Sequence, residues 1–140
     1  MGYSSEQVDQ LKSELCDVRD RIDDAVLEIT RFSRSPGLDE NAGEFLLYGA
    51  ARRLRILGRC ATRIYEVFPP GRTEVLGDAD VLDVDINLHA LILNVFGVLD
   101  NLGWAHLCQA GLWQEFSRKP TKVDLFKVAT QRHLPVELRN

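Results

Sequence analysis

Cysteine is scarce in this sequence, and the few cysteines are poorly placed for a disulfide framework or a metal site. Of the 140 residues only three are cysteine, Cys16, Cys60 and Cys108. They are odd in number and form no C-x-x-C pair, so neither a zinc site nor a redox pair is predicted. The N-terminal stretch MGYSSEQVDQ also lacks the basic and apolar regions of a secretion signal. We therefore predict a cytoplasmic protein in which the cysteines are small core residues.

Excess positive charge and long apolar runs are lacking too. The net charge of −4 gives the molecule as a whole no attraction for nucleic acid, so phosphate binding would need a local basic patch. The longest nearly uncharged apolar run, residues 86–99, lies between Asp85 and Asp100. Because this run is shorter than the ~20 residues that span a bilayer, it is predicted to be a core helix, and no membrane partner is expected.

What the sequence does contain is two segments whose apolar residues recur at alternating steps of three and four. In the first segment these residues are Val8, Leu11, Leu15, Val18, Ile22, Ala25, Ile29 and Phe32. In the second they are Leu47, Ala50, Leu54, Leu57, Ala61, Ile64 and Phe68. Such a seam is typical of a long helix packed along another, and a Pro-Gly or Pro-Pro-Gly sequence ends each helix. We predict an antiparallel helical hairpin over residues 4–68.

The rest of the chain completes a helical bundle. An acidic connection, a central helix and a short C-terminal helix are predicted at residues 69–85, 86–110 and 121–133. No stretch alternates as a strand would, so the fold class is all-α, an antiparallel helical bundle forming one domain over residues 1–140. Ala51 and Gly58, beside the seam of the second helix, are predicted to let the central helix approach closely.

The central helix carries asparagines at intervals of seven residues, Asn87, Asn94 and Asn101, while apolar residues cover its other sides. A helix that is apolar almost all round is expected at the centre of a bundle. The amides are then a buried, hydrogen-bonded line that sets the helix register. The alternative is functional: Asn94, Asp100 and Asn101 form a polar pocket. As a member of that pocket, Asp100 would orient a basic group on another helix. The other reading is that Asp100 lies exposed near the helix end.

Two charged faces lie opposite the apolar seams of the hairpin. The arginines on this face of the second helix are Arg52, Arg55, Arg59 and Arg63. The acids on the matching face of the first helix are Glu6, Asp9, Asp17, Asp20, Asp23 and Asp24. Because both faces lie off the seam, they are predicted to meet only between two copies of the molecule. The arginine face is interpreted as a solvated surface, with binding of phosphate or of an acidic partner as the alternative.

No group of residues predicts catalysis, a metal site or a cofactor. No nucleophile is spaced with a base, and His89, His106 and His133 are too scattered for a metal triad. A calcium loop counted from Asp78 fails because position twelve is His89 rather than glutamate. We predict no catalytic residue, no metal ligand and no cofactor. Weak binding of a metal or small ligand by the acidic connection is kept as an alternative.

Two stretches, FLLYGAARRLRILGRC and DVDINLHALILNVFGVLDNLGWA, resemble the N-terminal part of uncharacterised bacterial proteins of the HEPN superfamily. The resemblance covers about residues 40–135 and implies an antiparallel helical bundle, often dimeric. Many members are RNases of toxin–antitoxin or antiphage systems. Their catalytic signature, an arginine followed after four to six residues by histidine, is absent here. No nuclease residue is therefore assigned, and the resemblance places Asp100 and Asn101 near where such a centre would sit.

Three functional hypotheses follow. The first is a cytoplasmic, HEPN-like bundle without its own catalytic motif, which associates through its helices with a second copy or a helical partner protein in a defence setting. The second is the RNA-binding part or a fragment of a HEPN-type RNase, whose catalytic signature lies downstream of a segment like LPVELRN in longer relatives. The third is a bundle that binds a small ligand or metal. The chain by itself is not predicted to be an enzyme.

Overall fold

The computed structural model describes residues 3–136 and 139, and within them it contains helices and turns but no strand, which confirms the all-α fold class. In chain order the elements are α1 (Ser5–Phe32), α2 (Glu40–Glu44), a π-helical segment (Phe45–Ala51), α3 (Arg52–Val67), α4 (Asp78–Gln109), α5 (Trp113–Phe116), a 3-10 turn (Pro120–Lys122) and α6 (Val128–Gln131).

Helices α1 and α3 form the antiparallel hairpin that the apolar seams predict. A Cβ placed on Gly58 of α3 would lie 3.6 Å from Ile22 of α1, and one placed on Gly71, just beyond α3, would lie 3.6 Å from Val8. The prediction that Gly58 faces the central helix is therefore wrong, because it faces α1. Ala51 is buried.

The helix ends follow ordinary capping chemistry. Ser4 and Gln7 form a reciprocal capping box at the start of α1, with Oγ of Ser4 accepting from the Gln7 amide. The reversal after α1 contains Gly37 at a φ of 85°, a conformation that glycine adopts without steric cost. Asp39 then caps α2 by accepting a hydrogen bond from the Ala42 amide at 3.0 Å.

Helix α4 begins earlier than predicted. Residues 78–85, expected within an acidic connection, are its first two turns, and Gly77 is the N-cap. Asp78 and Asp80 lie in the first turn, where carboxylates are favoured by the positive end of the helix dipole. Asp83 is also helical and pairs with Arg63 of α3. The aspartates that resembled a solvated connection thus mark a helix start.

The C-terminal helix expected over residues 121–133 is reduced to the single turn Val128–Gln131. The Asp124 carboxylate accepts from the Phe126 amide at 2.8 Å, and the buried Thr130 hydroxyl accepts from the Asp124 amide at 3.2 Å. Such local side-chain hydrogen bonds compete with helix formation. The result is an irregular segment that covers the last third of α4.

The enclosed core lies at this end of the molecule. One cluster consists of Ala42, Leu46, Ala105 and Cys108, and the other of Leu107, Phe116 and Val123. The rings of Phe45 and Trp113 pack beside the first cluster and the ring of Trp104 beside the second, and the three ring centroids are 5.5–6.2 Å apart. Two cysteines, Cys60 and Cys108, are buried as predicted, whereas Cys16 is exposed on α1.

Candidate functional site

The asparagine line of α4 lies on the side that packs against α3. The Nδ2 atoms of Asn87 and Asn94 donate to carbonyl oxygens one turn earlier on their own helix, at 2.8 and 2.7 Å, and Asn101 does the same. The amides are therefore satisfied locally. Among the described residues they do not form the interhelical ladder expected of a register-setting line.

One arginine of α3 does reach the line. Nη1 of Arg53 donates to Oδ1 of Asn94 at 3.1 Å, and Asn94 is buried. The guanidinium crosses Gly97, where a Cβ would lie only 2.5 Å from its central carbon and Nε. Nε of Arg53 is itself buried and has no hydrogen-bond partner among the described residues.

Arg53 is the residue that sequence reasoning missed. It stands directly after Arg52 in the run ARRLR. Because Arg53 does not belong to the outer arginine face, the sequence pattern predicted no role for it. Its position beside the seam residue Leu54 is the signal that was available, because residues flanking an a/d seam reach across to the neighbouring helix.

A pocket of about 240 Å³ adjoins Arg53. Its lining comes from α2, the π-helical segment, α3 and α4, namely Glu44, Phe45, Tyr48, Gly49, Arg52, Arg53 and Asn101. A Cβ on Gly49 would overlap the Asn101 side chain, so the glycine is what allows Asn101 to reach the pocket wall. Two members of the predicted polar pocket therefore lie near Arg53. Asn94 accepts its hydrogen bond, and Asn101 lines the same pocket.

Asp100 is half-buried rather than exposed near a helix end. Burial raises the pKa of its carboxyl, and the nearby Asp124 raises it further, while Lys127 and Arg53 lower it. No side-chain hydrogen bond or ion pair within 4.0 Å joins the Asp100 carboxylate to another described residue. Asp100 and Arg53 therefore interact through charge, and Asp100 takes no part in the hydrogen bond between Arg53 and Asn94.

The four arginines predicted to share one face do not form one site. Arg63 turns toward α4, where Nη2 lies 2.6 Å from Oδ2 of Asp83, and the pKa of Arg63 is raised by this hydrogen bond and charge. Nε of Arg52 donates to the Tyr48 carbonyl at 3.0 Å, beside the Arg53 pocket. Only Arg55 and Arg59 of the four line a common groove.

That groove lies between α1 and α3 and measures about 230 Å³. Arg19 of α1 joins Arg55 and Arg59 along it, and Asp23 is its acidic member. Arg59 also lies 3.6 Å from Glu66. No ion pair within the described part of the chain joins the acids of α1 to the arginines of α3. Asp23 of the acidic face nevertheless lines the same groove as Arg55 and Arg59 of the arginine face, so the two faces adjoin at this point within one molecule.

Helix α4 turns its apolar side outward. The large apolar side chains exposed along its first two thirds are Val81, Leu82, Ile86, Leu88, Ile92, Leu93, Val95 and Phe96, and the polar side chains of Asp85 and His89 are exposed among them. We refer to the eight apolar residues as the bare apolar face. Leu93 is 67% exposed and Phe96 60%, so the prediction of a helix enclosed on all sides is wrong over this stretch.

The same helix is long and apolar enough to cross a membrane when judged by length and composition alone. The helix has 32 residues, and its most apolar stretch of 18 residues has a mean hydropathy of 1.6, with 17% of that stretch buried. Residues 86–99, which alone are too short to span a bilayer, are thus part of a longer helix. Whether lipid or protein surrounds this helix depends on what covers its bare apolar face.

Two of the four aspartates near the start of α4 form ion pairs. Asp83 holds Arg63, and Asp80 lies 3.5 Å from Arg72. Nδ1 of His89 lies 2.8 Å from the carbonyl oxygen of Asp85. No cluster of three or more histidine, cysteine or acidic side chains suited to a metal occurs in the described residues.

Comparison with known proteins finds no matching family model, no matching curated protein and no matching solved structure. The fold and the site therefore define the class: an all-α protein with a long helical hairpin and a third long helix whose polar side faces inward.

Proposed function

We propose that this chain is a cytoplasmic, HEPN-like association module that forms a homodimer through the bare apolar face of α4. The observation that carries the proposal is the orientation of α4, whose asparagine line packs inward while Leu93 and Phe96 face outward. No catalytic role is proposed. The resemblance to HEPN proteins suggests a toxin–antitoxin or antiphage setting for such a dimer.

The size of the bare apolar face suits a protein interface. At 3.6 residues per turn its eight residues cover roughly half of the helix circumference. They expose apolar area on the order of 700 Å², which approaches the ~800 Å² per partner of a standard interface. Monomeric soluble proteins seldom expose so much apolar area on one surface, and Asp85 and His89 are polar side chains exposed within it.

The pattern of this face is self-complementary, which favours a second copy as the partner. Leu82, Ile86, His89, Leu93 and Phe96 lie along one row of α4 at steps of four, three, four and three. The row has two apolar residues on each side of His89. A two-fold axis at His89 would pair Leu82 of one copy with Phe96 of the other, as an isologous interface requires.

Charge favours the antiparallel arrangement of the two copies. Residues 73–85 contain five acids and no lysine or arginine. At the other end of the face, residues 113–134 contain five basic residues and two acids, and this segment covers α4 around Gly103. Antiparallel pairing brings the acidic end of each copy to the basic segment of the other, and complementary charge sets orientation and encounter rate.

Charge also argues against a lipid surface as the occupant. Helices that lie on membranes carry lysine and arginine on their polar faces. Helix α4, Asp78–Gln109, contains no lysine or arginine and begins with aspartates. Anionic lipid headgroups would repel such a helix, whereas the basic segment of a second copy attracts it.

Light scattering coupled to size-exclusion chromatography tests the proposal on the full chain. The wild-type chain is expected to elute with twice the monomer mass, and Leu93→Glu to elute as a folded monomer, because an interface cannot bury an unpaired carboxylate. Leu27→Glu is the matched control, since Leu27 is 47% exposed on α1, and it should stay dimeric. A wild-type monomer at every concentration, or a dimer that Leu93→Glu leaves intact, would overturn the proposal.

Cosedimentation with vesicles of phosphatidylcholine and phosphatidylserine separates the two occupants of the face. We expect no binding. Sedimentation that Leu93→Glu abolishes and Leu27→Glu preserves would show that lipid covers the face instead.

A second candidate function is RNA binding in the groove of Arg19, Arg55 and Arg59, as in the fragment of a HEPN-type RNase. Three guanidiniums with Asp23 as the acid lining the same groove give the local basic patch that phosphate binding requires. Replacement of Arg55 and Arg59 by glutamate is expected to abolish binding to single-stranded RNA. Arg31→Glu, exposed at the end of α1, is the control. RNA binding that the double substitution leaves unchanged would remove this candidate.

A further inference from the structure

Arg53 carries a half-buried positive charge with few partners. Its Nη1 donates to the neutral amide of Asn94, and its buried Nε has no partner among the described residues. No ion pair within 4.0 Å involves Arg53 in the described part of the chain. Charged groups removed from water are normally paired or fully hydrogen-bonded. A guanidinium with so few partners would be stabilised by a bound anion.

We propose that the pocket beside Arg53 binds a small oxyanion, a carboxylate or phosphate group, between the Arg53 and Arg52 guanidiniums. Both arginines line the pocket of about 240 Å³, and Asn101 and Tyr48 add polar groups to its wall. Nε of Arg52 is occupied by the Tyr48 carbonyl, which leaves its Nη groups for the ligand. The guanidinium fork matches the spacing of oxygens in carboxylates and phosphates.

The local backbone is shaped around this arrangement. Gly97 gives the Arg53 side chain room to cross α4, and Gly49 gives Asn101 room to reach the pocket. Gly49 belongs to the π-helical segment Phe45–Ala51, and π-helical turns occur frequently at functional sites. The pocket has one acidic residue in its lining, Glu44, against two arginines, so its charge attracts an anion.

Asp100 is the alternative partner within the chain. It affects Arg53 by charge but also attracts Lys127 and is repelled by Asp124. If Asp100 alone neutralised Arg53, added oxyanions would have no effect on the pocket. The experiment must therefore distinguish an internal counterion from a bound one.

The site lies on the inner side of α4, opposite the bare apolar face, and goes beyond the proposed association. The two proposals can therefore fail separately. The Leu93→Glu variant, which is expected to be monomeric, should still bind the oxyanion. Binding that disappears together with dimerisation would place the ligand in the dimer interface and overturn the site proposed here.

Nuclear magnetic resonance on the full chain with inorganic phosphate provides the test. Titration at constant ionic strength is expected to shift the Nε–Hε resonance of Arg53 and to saturate. Sodium acetate is the carboxylate arm and sodium chloride the ionic-strength control. Arg52→Gln should weaken phosphate binding about 10-fold or more, because it removes a charge-assisted hydrogen bond, whereas Arg55→Gln, in the separate groove, should leave it unchanged.

The test needs no substitution of the half-buried Arg53, since Arg52 is exposed and its substitution leaves Arg53 in place. A saturating shift that Arg52→Gln weakens and Arg55→Gln preserves supports the site. An Arg53 resonance insensitive to both phosphate and acetate overturns it and assigns the charge to Asp100. Equal weakening by the two arginine substitutions also overturns it, because the binding would then be non-specific.

Discussion

The Arg53 guanidinium lies directly against the backbone of Gly97, at the point where α3 crosses α4. A Cβ on Gly97 would lie 2.5–2.6 Å from three guanidinium atoms. This contact lies on the side of α4 that faces the hairpin, where Arg53 also donates a hydrogen bond to Asn94. The bare apolar face lies on the opposite side of the helix.

Gly97→Ala is expected to destabilise the protein by up to about 2 kcal/mol, since displacing the packed guanidinium costs about 1–3 kcal/mol and the higher helix propensity of alanine offsets about 1 kcal/mol of that cost. The loss should appear as a lower urea midpoint with an unchanged slope, and as loss of the Arg53–Asn94 hydrogen bond by nuclear magnetic resonance.

Gly58→Ala is the matched control for this substitution, also a helical glycine. Its Cβ would lie 3.6 Å from Ile22, an ordinary contact, and alanine has the higher helix propensity. We expect a change between none and a gain of about 1 kcal/mol. If both glycines tolerated alanine equally, Arg53 would not be packed against Gly97 as described.

The C-terminal segment is expected to contribute a large share of stability through Leu107. This side chain is 0% exposed and packs with Phe116 and Val123. Leu107→Ala should lower the free energy of unfolding by about 2–5 kcal/mol, the usual loss for a buried leucine. Leu27→Ala, on exposed surface of α1, should cost less than about 1 kcal/mol. A small loss at Leu107 would show that the segment does not close over α4.

Sequence reasoning found the hairpin because its signal is periodic: seams of seven and eight apolar residues at alternating steps of three and four require two long helices. It misjudged α4 for a physical reason. Hydropathy identifies which side of a helix is apolar, but burial depends on which side has a neighbour. The asparagines did not reveal this, because amides that bond to their own helix need no partner.

The start of α4 and the Arg53 site were missed for related reasons. Aspartates are frequent both in solvated loops and in first helical turns, and only the pairing of Asp83 with Arg63 distinguishes the two. Arg53 contacts a residue 41 positions later in the chain. Such a contact depends on how two helices cross, which no local spacing specifies.

Thiol reactivity is expected to separate the three cysteines. Cys16 is exposed, whereas Cys60 and Cys108 are buried, and burial raises the pKa of Cys108 to about 11. Because the thiolate is the reactive form, a maleimide should label one thiol per native chain at neutral pH. Cys16→Ser should abolish this labelling, and the two buried thiols should react only in denaturant. Labelling of Cys108 in the native Cys16→Ser variant would contradict its enclosure.

Asp100→Asn is expected to stabilise the protein at neutral pH. Burial, and secondarily Asp124, raises the pKa of the Asp100 carboxyl above its unfolded value of about 3.9. The folded state therefore binds the proton more tightly, and wild-type stability falls as the pH rises through the interval between the two pKa values. Thermal melts should show the variant more stable at pH 7 and equal to wild type below about pH 4. A pH-independent gain from Asp100→Asn would assign the effect to packing instead of charge.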